Sequence, residues 1–227
     1  MTFPLLVPFH DSGRVKSYSN MYFRMCAAAL VRYQLLASEL SHLNKLSDEH
    51  SNILKLVEPA SVEPVVFAGM CLESTLYDLG ASLFGESYAK YTDKLDPVGK
   101  FVAIARITDG KTPEPGSITF QSLQALISAR NNLVHHKSHS AVETDWQAIF
   151  VHARKKHKQH VEGIASCFKA LVLLSLHFDG NIFEELRILP SFKKPEYWQA
   201  HVPVELYADV EWCIQASKKE KKNAEPK

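Results

Sequence analysis

The sequence has almost no surplus of either charge: 26 Lys and Arg stand against 25 Asp and Glu, for a formal net charge of +1. This excludes a global electrostatic footprint for nucleic acid, so any RNA binding has to come from a local patch. Cysteine is sparse as well. Cys26, Cys71, Cys167 and Cys213 lie far apart and form no C-x-x-C pair. That argues against a disulfide framework and for free buried thiols in a reducing compartment. A Gly-rich phosphate loop, a G-x-S-x-G elbow and an H-E-x-x-H helix are all missing, which removes the signatures of P-loop proteins, many serine hydrolases and zincins. The N-terminal MTFPLLVPFHDSGR combines a short apolar run with two prolines and no basic flank, so no signal peptide is expected. No apolar run reads as long enough to span a membrane, and a cytoplasmic protein without membrane contact is expected.

What is present is helical periodicity. Its 227 residues, 46% of them hydrophobic, can bury a sizeable core. Tyr22, Cys26, Ala29, Tyr33, Leu36, Leu40 and Leu43 alternate spacings of four and three, a seam that predicts a first helix over residues 19–43 lying along another helix. Residues 47–60 read as a polar connection closed by Glu58-Pro59, with Ser61 as N-cap of a helix over 62–84. Asp96-Pro97 starts another helix, which ends near Asp109-Gly110, and KTPEPGS is a connector. Ser117 or Thr119 caps the next helix. A long helix follows over 146–178, its second half almost wholly apolar. The fold class is therefore all-α: a compact up-down bundle of about four or five core helices. It divides as an N-terminal helix packed on the bundle (1–60), the bundle (61–180), a short C-terminal appendage (181–216) and a disordered basic tail (217–227).

The stretch FQSLQALISARNNLVHHK, residues 120–137, is the one with an unusual residue in its apolar stripe. Phe120, Leu123, Ile127 and Val134 repeat on one helical face, and Arg130 falls on that face too. A guanidinium at a core-facing position needs an anion or a solvent-lined crevice to satisfy its five donors. The plainer alternative is that Arg130 snorkels from the stripe's edge while His135, His136 and His139 decorate a helix C-terminus, where positive charge is favoured. Asn131 and His135, four apart, are helical neighbours. Arg130 and His135 would point about 140° apart on an intact helix, so they serve one site only if the helix ends near Val134 or two copies face each other.

Arg130-Asn131-x-x-x-His135 resembles the R-N-x-x-x-H form of the Arg-x(4–6)-His signature of the HEPN superfamily, and its setting, LISARNNLVHHK, is similar to the motif helices of that superfamily. The resemblance covers roughly residues 60–180. It implies a helical bundle, a homodimer that brings two motif copies together through the motif helix, and metal-independent endoribonuclease activity with no cofactor. It further implies that a toxin or defence protein of this type is restrained by an inhibitory protein partner. CLESTLYDLGA, with Glu73 interrupting an apolar stripe, also resembles the acidic helix of these proteins. Glu73 either sits in water at a boundary or orients Arg130 or His135.

The chemistry that suits the motif is attack of a ribose 2′-hydroxyl on the adjacent phosphorus. Histidine titrates in the range needed to move the protons, and arginine forks onto the phosphate. His135 is then acid or base and Arg130 the phosphate ligand. Asn131 positions His135 or a phosphate oxygen, and the second proton-transfer group is His136 or His135 of the partner subunit. Arg154, Lys155, Lys156 and Lys158, the one substantial basic cluster before the tail, are the candidate RNA-phosphate ligands, although such a run is commonly just a solvated face. Two rivals stand beside this reading. One is a non-catalytic module that binds a protein partner or a nucleotide. The other is a metal site built from His135, His136 and His139 with His157 and His160, whose spacing fits no zinc pattern.

Overall fold

The computed structural model describes residues 17–134, 146–178 and 188–224. Among these it contains helices and no strand, which is the all-α bundle that the periodicity predicts. In chain order the helices are α1 (Ser19–His42), α2 (Asp48–Phe84), α3 (Glu86–Thr92), α4 (Pro97–Asp109), α5 (Ile118–Val134), α6 (Trp146–Phe178), α7 (Pro195–Trp198) and α8 (Tyr207–Ala224), with a 3₁₀ turn at Val204–Leu206 before α8.

Several ends fall where the local chemistry puts them. The Asp96 carboxylate accepts from the backbone N–H of Val98 and Gly99 at the start of α4, with Pro97 in the first turn. That helix stops at Gly110, whose φ of 69° is left-handed. Ser117 Oγ accepts from Phe120 N at 3.2 Å and caps α5. The α5 N-terminus has a second acceptor from far along the chain: Glu220 Oε1 takes the N–H of Ile118 at 2.8 Å, meeting one of the donors that a helix start leaves open.

Several sequence expectations are corrected. Residues 47–60 are not a connection, because α2 runs unbroken for 37 residues from a cap at Ser47, whose side chain accepts from His50 N. Pro59 and Pro64 lie inside this helix, each removing one backbone donor at a cost of about 3 kcal/mol or more. Packing outweighs that cost, since α1 and α2 form the most extensive helix pair among the described residues. Ser61 is not an N-cap either; its hydroxyl donates back to the Glu58 carbonyl at 2.6 Å. The tail correction is similar. Residues 217–224, expected to be disordered, continue α8, which is tied down by the Glu220 contact and by Lys221 Nζ donating to the Leu176 carbonyl at 3.3 Å.

α1 and α2 are antiparallel, pinned by Ser19 Oγ to Ser74 Oγ at 2.9 Å and by Arg32 Nη2 to Glu63 Oε1 at 3.1 Å. Their inner faces (Phe23, Cys26, Leu30; Val65, Cys71, Leu72) close on the second half of α6, where Cys167, Phe168 and residues 170–174 are fully buried. The segment Arg154–Phe178 is, by length and composition, apolar enough to cross a membrane, contrary to the sequence expectation; 67% of its most apolar window is buried inside the bundle. A chain of rings carries the C-terminal elements onto this core: Phe23 against Phe168 at 5.4 Å and Phe192 at 6.1 Å, Phe192 against Trp198, and Trp198 against Tyr207. Tyr197 and Trp212 remain substantially exposed. All four cysteines are buried and unpaired. Burial pushes the Cys213 thiol up to about 12, so it stays protonated near neutral pH.

α5 packs on α6 at a point where a side chain is missing. A Cβ built on Gly163 would lie 2.5 Å from the Ala129 Cβ, closer than two carbons can approach. Gly163→Ala should therefore force the helices apart and cost about 1–3 kcal/mol. Gly116→Ala, where nothing lies within 4 Å, should stay within about 0.5 kcal/mol of wild type. Urea denaturation of the two variants checks this.

Candidate functional site

Arg130 leaves α5 on the side facing α2. Its stem lies over Gly69: a Cβ there would sit 3.0 Å from Arg130 Cγ. A mid-helix glycine costs roughly 1 kcal/mol against alanine, and here it clears the floor on which the arginine rests. One turn along α2, Glu73 Oε1 is 3.3 Å from Arg130 Nη2. Arg130 Nη1 donates to Asn131 Oδ1 at 3.1 Å. Its side chain is 30% exposed, so the group is neither a free surface cation nor a sealed one. Its five donors outnumber these two acceptors.

Three of the sequence-predicted residues are thus in one place: Arg130, Asn131 and Glu73. Asn131 was expected to position His135 or a phosphate oxygen; its carbonyl oxygen faces Arg130. Glu73 is next to Arg130, as one of its two expected roles requires. His135, His136 and His139 lie outside the described residues. Gly69 was not foreseen as part of the site. The available signal was a glycine inside an apolar helix, which usually has a packing reason.

The basic stretch is not in contact with Arg130 through any of the ion pairs or hydrogen bonds described. Arg154, Lys155 and Lys158 are exposed and Lys156 is half-buried. Lys158 pairs along its own helix with Glu162 at 3.7 Å. The level of the cluster is informative all the same. α5 and α6 cross at Ala129 and Gly163 and run antiparallel, lining a shallow groove that includes Ser128 and Asn132 on one side and Gln159 and Glu162 on the other. At 1.5 Å per residue, the end of α5 is about 8 Å from the crossing, level with Lys158. The cluster therefore flanks the end of the motif helix. At the same level His160 Nε2 meets Ser61 Oγ at 2.9 Å, joining α6 to α2.

Burial, and then the charge of His157, hold the His160 pKa below its ordinary 6.5. His201 is lowered by burial and by Arg24. Among the described residues, no three His, Cys, Asp or Glu side chains come together as a metal-binding group. No protein-family model, curated protein or solved structure matches the chain, so the chemistry of these residues is what carries a functional reading.

Two measurements follow from this geometry. A double-mutant cycle of Arg130→Ala and Glu73→Ala in urea should give a coupling of no more than about 1 kcal/mol, since both groups are partly hydrated. The histidines set a pH dependence whose sign is fixed. The unfolded chain takes up protons near the ordinary value of 6.5 and the folded chain only at lower pH. Their contribution is therefore complete above that value and is lost as the pH falls from it through the folded pKa values. Melting temperature should drop between about pH 7.5 and about pH 5, and His160→Gln should drop less over the same interval.

Proposed function

We propose that this protein is a cytoplasmic, metal-independent endoribonuclease that cleaves RNA by attack of its own 2′-hydroxyl, at a site to which two copies each bring a motif helix. The observation that carries the reading is the seating of Arg130. An arginine fixed between a glycine floor and a carboxylate, yet 30% exposed, is a preorganised phosphate ligand rather than a wandering surface cation.

In this reading Arg130 holds the scissile phosphate by charge-assisted hydrogen bonds. Glu73 aims the guanidinium and is partly displaced when a phosphate arrives, because the two anions compete for the same donors. Asn131, now bonded to Arg130, turns its amide toward either the phosphate or His135. His135 moves the proton of the 2′-hydroxyl or of the leaving 5′-oxygen, and His136 or His135 of the partner subunit moves the other. Arg154, Lys155, Lys156 and Lys158 hold flanking phosphates, a local patch being the only electrostatic route to RNA for a chain of net charge +1. An inhibitory protein partner and a toxin or defence role belong to the same proposal.

A second reading is favoured by one observation. The Arg130 charge is already met by Glu73, which suits a non-catalytic module that uses this pair to bind a protein partner or a nucleotide.

Cleavage of mixed cellular RNA in excess chelator separates the two. The expected result is cutting by the wild type with 2′,3′-cyclic phosphate ends, no cutting of DNA, and a loss of about 10²-fold or more in Arg130→Ala and His135→Ala. An inert wild type, or equal cutting by His135→Ala, rules out the catalytic assignment and leaves the binding module.

A further inference from the structure

The α1–α2 hairpin is apolar on two sides, and only one of them faces the bundle. Inward, Phe23, Cys26 and Leu30 are buried. Outward, Met21 is 44% and Met25 37% exposed on α1, and Leu56 is 52% and Met70 39% exposed on α2. The ion pair Arg32–Glu63, at 3.1 Å with 56% and 36% exposure, fixes where this outer face is. At 100° per residue, Met21 and Met25 lie within about 20° of Arg32 around α1, and Leu56 and Met70 within about 20° of Glu63 around α2. Leu35, 63% exposed, is about 60° away, toward the tip. Met21, Met25 and Met70 are every methionine of the chain apart from Met1, and methionine adapts readily to a partner surface. The hairpin also extends past its own support, since no residue from 31 to 59 is buried.

We propose that this strip is the contact face of a homodimer whose two-fold axis runs along the hairpin, so that α1 of one copy covers α2 of the other. Charge selects the occupant. At the level of Arg32 and Glu63 the strip holds one cation and one anion side by side, and this rotation sets Arg32 against Glu63 of the partner subunit, twice, forming an alternating square of four charges. Packing α1 on α1 would instead stack like on like. The same rotation sets Met25 against Met70 of the partner subunit; nearer the tip, Leu56 comes level with the exposed Glu39 of the partner subunit. From Met21 to Leu35 the strip is about 21 Å long and two helices wide, room for a modest, reversible interface. It leaves α5 and Arg130 at the rim, so it is separate from the meeting of motif helices and does not depend on the ribonuclease reading.

Sedimentation velocity at physiological salt and micromolar concentrations tests it, with circular dichroism to check that each variant is folded. The wild type should self-associate, while Arg32→Glu and Glu63→Arg should each weaken that association about tenfold or more. Mixing these two variants should restore it, because each then meets its opposite across the interface although neither regains its internal pair. Met25→Lys should weaken association and stay weak after mixing. A monomeric wild type, unchanged single variants, or a mixture no better than its components would each overturn the proposal. RNA cleavage is read separately, so loss of one property leaves the other intact.

Discussion

Two glycines on different helices determine where α5 can lie. Gly69 on α2 receives the stem of Arg130, and Gly163 on α6 receives the methyl group of Ala129. The two α5 residues are consecutive, so the helix is clasped on both sides at one level. A side chain at Gly163 would push α5 away from α6, and one at Gly69 would require the Arg130 stem to give by a few tenths of an ångström. The interior of a protein is close-packed and does not absorb such a shift cheaply. The position of the Arg130 guanidinium, and with it the reach to Glu73, follows from this clasp rather than from the ion pair, which at these exposures is a weak constraint.

Much of the frame was legible from local chemistry. The α1 seam, the Asp96-Pro97 start, the Gly110 stop, the Ser117 cap and the limits of α6 all rest on signals within a few residues, and each is where the sequence puts it. What was not legible depends on partners distant in the chain. Pro59 and Pro64 look like a boundary because nothing local reveals that α1 will pack along α2. The lysine-rich end of α8 looks like a disordered tail because its anchors, Ile118 and Leu176, are far upstream.

The candidate site divides in the same way. Arg130 stood out because its charge broke an apolar period, and Glu73 because it broke another; the fold brings the two interruptions together at 3.3 Å. Gly69 stood out less, since a small residue amid apolar neighbours leaves the hydrophobic period intact. Only the bulk of the arginine above it gives the glycine meaning. The basic cluster was legible as charge but not as place. Its level beside the end of α5 comes from the antiparallel crossing of α5 on α6, which one strand of sequence does not encode.

The contact between Glu220 and the first amide of α5 spans 102 positions along the chain. A ribosome makes the motif helix long before it makes the carboxylate that closes that helix's open end. During that interval a nascent chain carries Arg130 on an α5 without its distant cap. Full capping of α5 is in this sense a late event in the life of each molecule, timed by the distance between two residues rather than by any separate signal.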